Sequence, residues 1–584
     1  MSWKQLRKQG RTGEALAALR EAVRREQLEP EELERAGRML AADGPQGETG
    51  GLRVRVLGQC TTSWLAPMIA ALAWGRGLPL AVASGEFDNV VQDLTSAAPA
   101  DVVVLLPWSE RYLANPLVDD EVAQWRHAWR LAAGRGARVV QIGYDWVGAG
   151  PLGHHLAGDV AHVRALNAEL RAALPASAYF VDLEAVSGLA GRAQFYDPRQ
   201  YHWTKQPFSM AGAAALARHV VAGIRALVTG PKKVLVLDLD NTLWGGVVGE
   251  TGPLGITLGG TPEGEAFVAF QRHLRGLARR GVLLAVASKN NPADAREPFG
   301  AHPDMALAID DLAAFEASWD PKAMALQRIA DALQLGLDSF VFFDDNPAER
   351  EHIRQALPEV EVVEVPEDPA DYVRALEAGL WFEAVALTDE DRARTAQYAV
   401  ERQRAELRGA ASSLDDYLAS LEMCARVREL DDTDMQRAVQ LIGKTNQFNL
   451  TTRRHSEAHV RALLAGGAVA VTVRVRDRFG DHGLVSLAIA VPRDGDLVVD
   501  TWLMSCRVIG RTVEQLVLAE LVRRATERGL HRVVGEYLPT AKNALVARLY
   551  DDLGFAALDA SPAGSRYALA LPCAALPRTF VARE

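Results

Sequence analysis

Val234-Leu-Val-Leu-Asp238-Leu-Asp240-Asn241-Thr242-Leu243-Trp244-Gly245-Gly246 decides how the middle of this 584-residue chain folds. Four apolar residues in a row, two of them Val, predict a strand buried on both faces. The two aspartates then stand where the strand ends, the place where open α/β sheets bind ligands. Two acids one residue apart can divide the chemistry. Asp238 is suited to hold a cation and attack phosphorus, and Asp240 to protonate the leaving oxygen.

Three further stretches follow in order. Val282-Leu-Leu-Ala-Val-Ala-Ser288-Lys289-Asn290 is a second apolar strand ending in a hydroxyl. Trp319-Asp320-Pro321-Lys322 opens a helix with a compact cation, and Phe340-Val-Phe-Phe343-Asp344-Asp345-Asn346 is a third strand ending in paired acids. Together they resemble motifs I to IV of the haloacid dehalogenase superfamily of phosphotransferases. The resemblance implies that Ser288 holds the transferring phosphoryl group, that Lys322 neutralises phosphate and nucleophile, and that Thr242 and Asn290 contact substrate. It also implies Mg²⁺ as cofactor, with Asp238, Asp240, Asp344 and Asp345 as candidate metal ligands.

Working outward, a chain of this length exceeds one core and implies several domains. With 49% hydrophobic and 24% charged residues it has ordinary globular composition, and a net charge of −11 argues against a nucleic-acid surface. No apolar run reaches the ~18 residues of a membrane span. The first residues lack a signal peptide's apolar core, so a cytoplasmic protein is expected. Four cysteines without paired zinc spacing or disulfide density are expected to be free thiols.

The fold class expected is α/β multidomain. Residues 1–50 read as one or two amphipathic helices and a Gly-rich linker. Residues 52–228 alternate strands, at 52–57, 101–106, 137–142 and 178–182, with helical stretches, which predicts a parallel sheet wrapped by helices. The turn Gly58-Gln59-Cys60 after the first strand resembles the nucleophile block of SGNH hydrolases, although Asp197 to His202 does not keep that family's later spacing. With a helix expected from Ser63, Cys60 reads either as an activated nucleophile or as a packed thiol. The phosphatase-like domain spans 230–382 with only the short insert Gly245–Ile256 as cap, which leaves the aspartates open to a bulky substrate. A helical linker, 383–415, leads to 416–584.

That last stretch carries a hairpin at 469–490, a strand at 497–503, and the turn Ser505-Cys506-Arg507-Val508-Ile509-Gly510-Arg511 before a helix from Thr512. Together with Asn543–Phe555 it resembles a GNAT acyltransferase, in which this turn meets the pyrophosphate of coenzyme A. Arg511 and Thr512 break the usual spacing, while a phosphopantetheine arm still suits Arg507, Gly510 and Arg511. Cys506, beside arginines and a helix start, reads as thiolate-forming or as a buried structural residue. Asn446 reads as lining an acyl pocket or as part of a capped helix end.

The phrases Leu237–Gly246, Trp319–Lys322 and Asp344–Arg350 are similar to those of FkbH-like proteins, subfamily IIIC of the same superfamily. This implies a phosphatase and acyltransferase in one. Such proteins take a glyceryl group from the small acyl phosphate 1,3-bisphosphoglycerate, hold it on an enzyme cysteine, remove phosphate, and load an acyl carrier protein for polyketide assembly. Short members lack the first domain, which points to Cys506 over Cys60 as that cysteine. The alternative is a stand-alone phosphatase of a small metabolite with non-catalytic flanking domains.

Overall fold

The computed structural model describes residues 3–43, 51–96, 98–386, 413–445, 448–505, 508–540, 543–561, 564–573 and 575–584. The chain forms two compact units, Met1–Ala399 and Val400–Glu584. The fold is α/β and multidomain, with two parallel sheets in the first unit and one mixed sheet in the second.

The first sheet has order β2-β1-β3-β4-β5, from β1 Leu52–Gly58, β2 Leu80–Ser84, β3 Val102–Leu106, β4 Arg138–Ile142 and β5 Tyr179–Val181, all parallel. The edge strand β2 has no counterpart in the sequence reading. Its Leu-Ala-Val-Ala-Ser has four apolar residues in a row, but two of them are Ala and the strand is largely uncovered, unlike the Val/Leu-rich central strands. The amino-terminal segment is three helices, Trp3–Lys8, Thr12–Arg24 and Pro30–Asp43, rather than one or two. They belong to this domain's core, where Leu19, Val23 and Leu33 pack with Val54 and Ile69. The third helix lies so close to Leu65–Gly75 that a Cβ on Gly37 would stand 1.8 Å from the Pro67 carbonyl oxygen.

Helix Met210–Val228 closes this domain. It is long and apolar enough to cross a membrane, contrary to the expectation that no stretch is, but 67% of that window is buried in the domain. Its apolarity is that of a core helix.

The second sheet has order β10-β9-β6-β7-β8, from β6 Val234–Leu237, β7 Leu283–Ser288, β8 Leu312–Ala317, β9 Phe340–Phe343 and β10 Glu361–Val362. The chain runs from β6 to β7 and β8 on one side, then crosses to β9 on the other. The switch point is therefore between β6 and β9. The two domains of this unit are fastened together. Arg24 donates to the carbonyls of Pro358 and Val360, each at 2.8 Å. Arg76 donates to Gly379 O at 2.6 Å and lies 4.3 Å above the Trp381 ring.

The second unit is an eight-stranded sheet, β16-β17-β15-β14-β13-β12-β11-β18. Its strands are β11 Cys424–Glu429, β12 Val469–Asp477, β13 Gly480–Arg493, β14 Asp496–Met504, β15 Arg532–Tyr537, β16 Ala556–Ser561, β17 Gly564–Ala570 and β18 Ala582–Arg583. β12 and β13 form the expected hairpin, turning at Arg478-Phe479. β14 and β15 are parallel, joined by helix Val513–Glu527. Residues 543–555 are a turn of 3₁₀ helix, Ala544–Val546, and a short helix, Leu549–Asp552, instead of one helix.

Candidate active site

Register brings the acids together. Leu237 pairs with Phe343 on one side and Val286 on the other, so the next residues along β6 and β9, Asp238 and Asp344, leave the sheet side by side. Ser288 ends β7 nearby and is buried. Lys322 is the first residue of helix Lys322–Leu333. Its Nζ lies 2.9 Å from Asp238 Oδ2 and 2.6 Å from Asp344 Oδ2. One oxygen each of Asp238, Asp344 and Asp345 lies within 4.8 Å of the others, a set that can hold a metal ion. Asp238 Oδ1 is buried without a hydrogen-bond partner.

Other predicted residues act differently from expectation. Asp240, predicted as a fourth ligand, is outside that cluster. Its Oδ1 accepts from the Trp244 indole at 2.9 Å and the Val248 amide at 3.1 Å, and its Oδ2 accepts from Asn290 Nδ2 at 2.9 Å. The sharp turn this needs passes through Asn241 at φ +53°, where Asn is tolerated. Asn290, predicted to touch substrate, is buried and also donates to Ser288 Oγ at 3.3 Å, so it orients two acting groups. Thr242 is fully buried. Its hydroxyl donates to Asp345 Oδ1 at 3.2 Å and accepts from the Asp345 amide at 3.3 Å, fixing the acid rather than facing substrate. Sequence reasoning passed over Arg350. Buried, it donates to the carbonyls of Asp344 at 2.8 Å and Asp345 at 2.7 Å and pins the acidic loop. Its signal was its place six residues after Asp344, at the end of the first turn of the following helix, Pro347–Ala356.

Burial, and next the Asp238 charge, push the Asp344 carboxyl up to about 7 against the pull of Lys322. The same two causes raise Asp345. Burial opposes the Lys322 charge, but Asp238 and Asp344 outweigh it and hold the ammonium above its usual value. Between the ordinary value of 3.8 and about 7, folded Asp344 binds a proton that the unfolded chain has released. Stability from this group therefore falls as pH rises through that window, by at most about 4 kcal/mol at about 1.4 per unit. Metal-free protein is expected to melt at lower temperature at pH 7.5 than at pH 5, with a divalent cation reversing the loss. A melting temperature that rises over that range, or ignores the cation, would contradict this placement of Asp344.

In the first domain the turn after β1 also sits at a switch point, between β1 and β3. Gln59 Oε1 accepts from the Trp108 amide at 2.9 Å. Cys60 is buried at 1% exposure among core residues, and burial pushes its thiol up. The helix expected from Ser63 is Leu65–Gly75, so its start is not beside the sulfur. Of the two readings of Cys60, both observations favour the packed thiol over the activated nucleophile.

In the second unit Arg511 is buried, with Nη1 3.6 Å from Asp477 Oδ2, whose carboxylate also meets His482 Nε2 at 2.9 Å. Its guanidinium thus faces Asp477 inside the domain. Gly510 has φ +71°, which favours glycine there. Cys506, Arg507 and Asn446 lie outside the described residues.

No protein-family model and no curated protein matches the chain. Among solved structures it is similar to the N-terminal part of the protein BF1531 from Bacteroides fragilis, which contains a phosphatase domain and was crystallised with Mg. Identity is 30% over 62% of this chain and 100% of that one, with a TM-score of 0.55. This chain belongs to the family of that phosphatase-domain protein. It is also similar to the ribosomal-protein-S18-alanine N-acetyltransferase from Escherichia coli, at 15% identity over 26% of this chain and 96% of that chain. The GNAT domain of S. lividans PAT is 18% identical over 25% and 89%. Both have TM-scores of 0.21.

Proposed function

We propose that the chain is a cytoplasmic Mg²⁺-dependent phosphatase of the haloacid dehalogenase type, joined to an acyltransferase domain, and acts as an FkbH-like glyceryl transferase. The observation that carries the phosphatase reading is the convergence of Asp238, Asp344 and Asp345 around Lys322. With all three carboxyls ionised the site carries two net negative charges, and the oxygen-only donor set suits a hard divalent cation. The unpartnered, buried Asp238 Oδ1 fits the same conclusion, because such an oxygen needs a ligand or an electrophile. Asp238, Asp344 and Asp345 would hold Mg²⁺, which supplies Lewis-acid neutralisation of the phosphoryl oxygens.

The residues divide the reaction. An Asp238 oxygen forms a bond to phosphorus as the ester P–O bond breaks, and Asp240 gives its proton to the departing oxygen. Water, deprotonated by Asp240, then hydrolyses the aspartyl phosphate and frees Asp238. Lys322 and the Ser288 hydroxyl hold the phosphoryl oxygens.

For the acyl half, an enzyme thiolate attacks the acyl phosphate of 1,3-bisphosphoglycerate and expels phosphate. The phosphatase removes the remaining phosphate ester, and the glyceryl thioester exchanges onto the phosphopantetheine thiol of an acyl carrier protein. Mass spectrometry of the intact protein after incubation with 1,3-bisphosphoglycerate and Mg²⁺ tests this. A glyceryl adduct is expected; phosphate release with no adduct would instead fit a stand-alone phosphatase. EDTA is expected to abolish phosphate release and added Mg²⁺ to restore it. Release that persists through chelation would remove the metal from the mechanism.

A further inference from the structure

β14 and β15 pair only through Asp496–Val498 and Arg532–Val534. Past that point two parallel strands diverge, and each turns a backbone edge toward the gap. Such an edge is a strand-addition site for an extended ligand with amide groups. Under the reading above, the ligand of that chemistry is a pantetheine arm, which has two amides.

The gap is already filled by the chain itself. Met504 N donates to Phe448 O at 3.1 Å, and Leu450 N donates to Trp502 O at 3.2 Å, an antiparallel pairing centred on Asn449 and Leu503. Asp500 O accepts from the Thr451 hydroxyl at 2.8 Å and from Arg453 Nη1 at 2.9 Å. On the opposite side Leu538 N donates to Leu450 O at 2.9 Å, and Asn543 Nδ2 donates to Asn449 O at 3.0 Å. Arg453 spans the diverging strands, since its Nη2 also meets Glu536 Oε2 at 2.7 Å. Phe448, Asn449, Leu450 and Thr451 are all buried at 3% exposure or less. Removing this segment would strip the partners of three backbone groups, Met504 N, Trp502 O and Leu538 N, and a backbone group left unmet in a buried setting costs about 1 to 3 kcal/mol.

A second observation concerns the helix Val513–Glu527, whose start is the natural anion site of the domain. Thr512, its cap, is taken by the C-terminal tail. Phe580 N donates to Thr512 Oγ1 at 2.9 Å, and Thr579 Oγ1 donates to Thr512 O at 2.8 Å. Glu514 places a carboxyl in the first turn, with its Oε2 buried.

We infer that Phe448–Thr451 is a built-in strand that closes the extended-ligand edge of this domain, which therefore binds neither coenzyme A nor free phosphopantetheine. A carrier protein is then distinguished from free acyl-coenzyme A by contacts to its protein surface, because the arm alone gains no backbone edge. The choice of probes rests on the acyltransferase reading, whereas phosphate release by the same preparation reports the other site separately.

Titration calorimetry of the full chain with coenzyme A, and separately with phosphopantetheine, is expected to show no saturable heat up to about 1 mM. Hydrogen exchange at Leu450, Met504 and Leu538 is expected to be slow and unchanged by either probe. Saturable binding of either compound would overturn the inference, and so would fast exchange at these amides in the unliganded protein. Loss of phosphate release in that preparation, with no binding, would instead count against the phosphatase reading alone.

Discussion

Asp238→Asn is expected to lower phosphate-ester hydrolysis by at least ~10³-fold without unfolding the protein, the order seen when a covalent nucleophile is removed. The substitution keeps the shape of the side chain. Asp238 Oδ1 has no hydrogen-bond partner to lose, and Lys322 keeps Asp344 at 2.6 Å. A second, independent effect follows from the electrostatics. The Asp238 charge is among the causes that raise Asp344, so its removal should bring the Asp344 carboxyl down and flatten the stability change between pH 5 and 7.5. Steady-state phosphate release and thermal melts at the two pH values measure both. A variant that keeps more than about a tenth of the activity would exclude Asp238 as nucleophile. A variant with low activity and an unchanged pH profile would leave the chemistry standing but break the proposed coupling to Asp344.

The acidic centre was legible because its parts follow from period and position. A run of four apolar residues fixes a central strand, the sheet register fixes where the next residue emerges, and Pro321 marks the start of the helix that carries Lys322. What was not legible is where side chains turn once they leave those elements. Thr242 and Asn290 look from sequence like substrate ligands, yet both point back to hold Asp345, Asp240 and Ser288. That outcome depends on the φ of Asn241 and on how β7 and β9 flank the end of β6, which no local pattern encodes. The strand β2 was missed because its short apolar run is half alanine, which favours strand weakly. The pairing of Phe448–Thr451 has no counterpart in the sequence reading, since its strand partners at Trp502–Met504 lie about fifty residues away in the chain.

The same distinction bears on which thiol carries the acyl group. Cys506→Ala is expected to prevent the covalent glyceryl adduct, and Cys60→Ala to leave it in place. The sequence case for Cys506 invoked two neighbouring arginines, but Arg511 is committed to Asp477, so only part of that case survives. The stronger ground is now the state of the alternatives. Cys60 is sealed in the first domain's core beneath the turn that Thr61 closes on Thr204 and Lys205, and burial disfavours its thiolate. A thiol must ionise to attack an acyl phosphate, so Cys60 meets the substrate only if that turn opens. Cys573 packs against the apolar core of the second unit, and Cys424 lies on β11 with its sulfur near the Glu422 carbonyl. Cys573 has no cation or helix start beside it in the sequence, and Arg476, across the ladder from Cys424, is paired with Glu584. Iodoacetamide at pH 7 is accordingly expected to label Cys506 before Cys60 in the folded protein, and peptide mapping of the trapped thioester to find the glyceryl group on the peptide containing Ser505-Cys506. An acyl group on the Gly58-Gln59-Cys60 peptide that survives in Cys506→Ala would transfer the acyl chemistry to the first domain, and would require the Thr61–Lys205 closure to open during turnover.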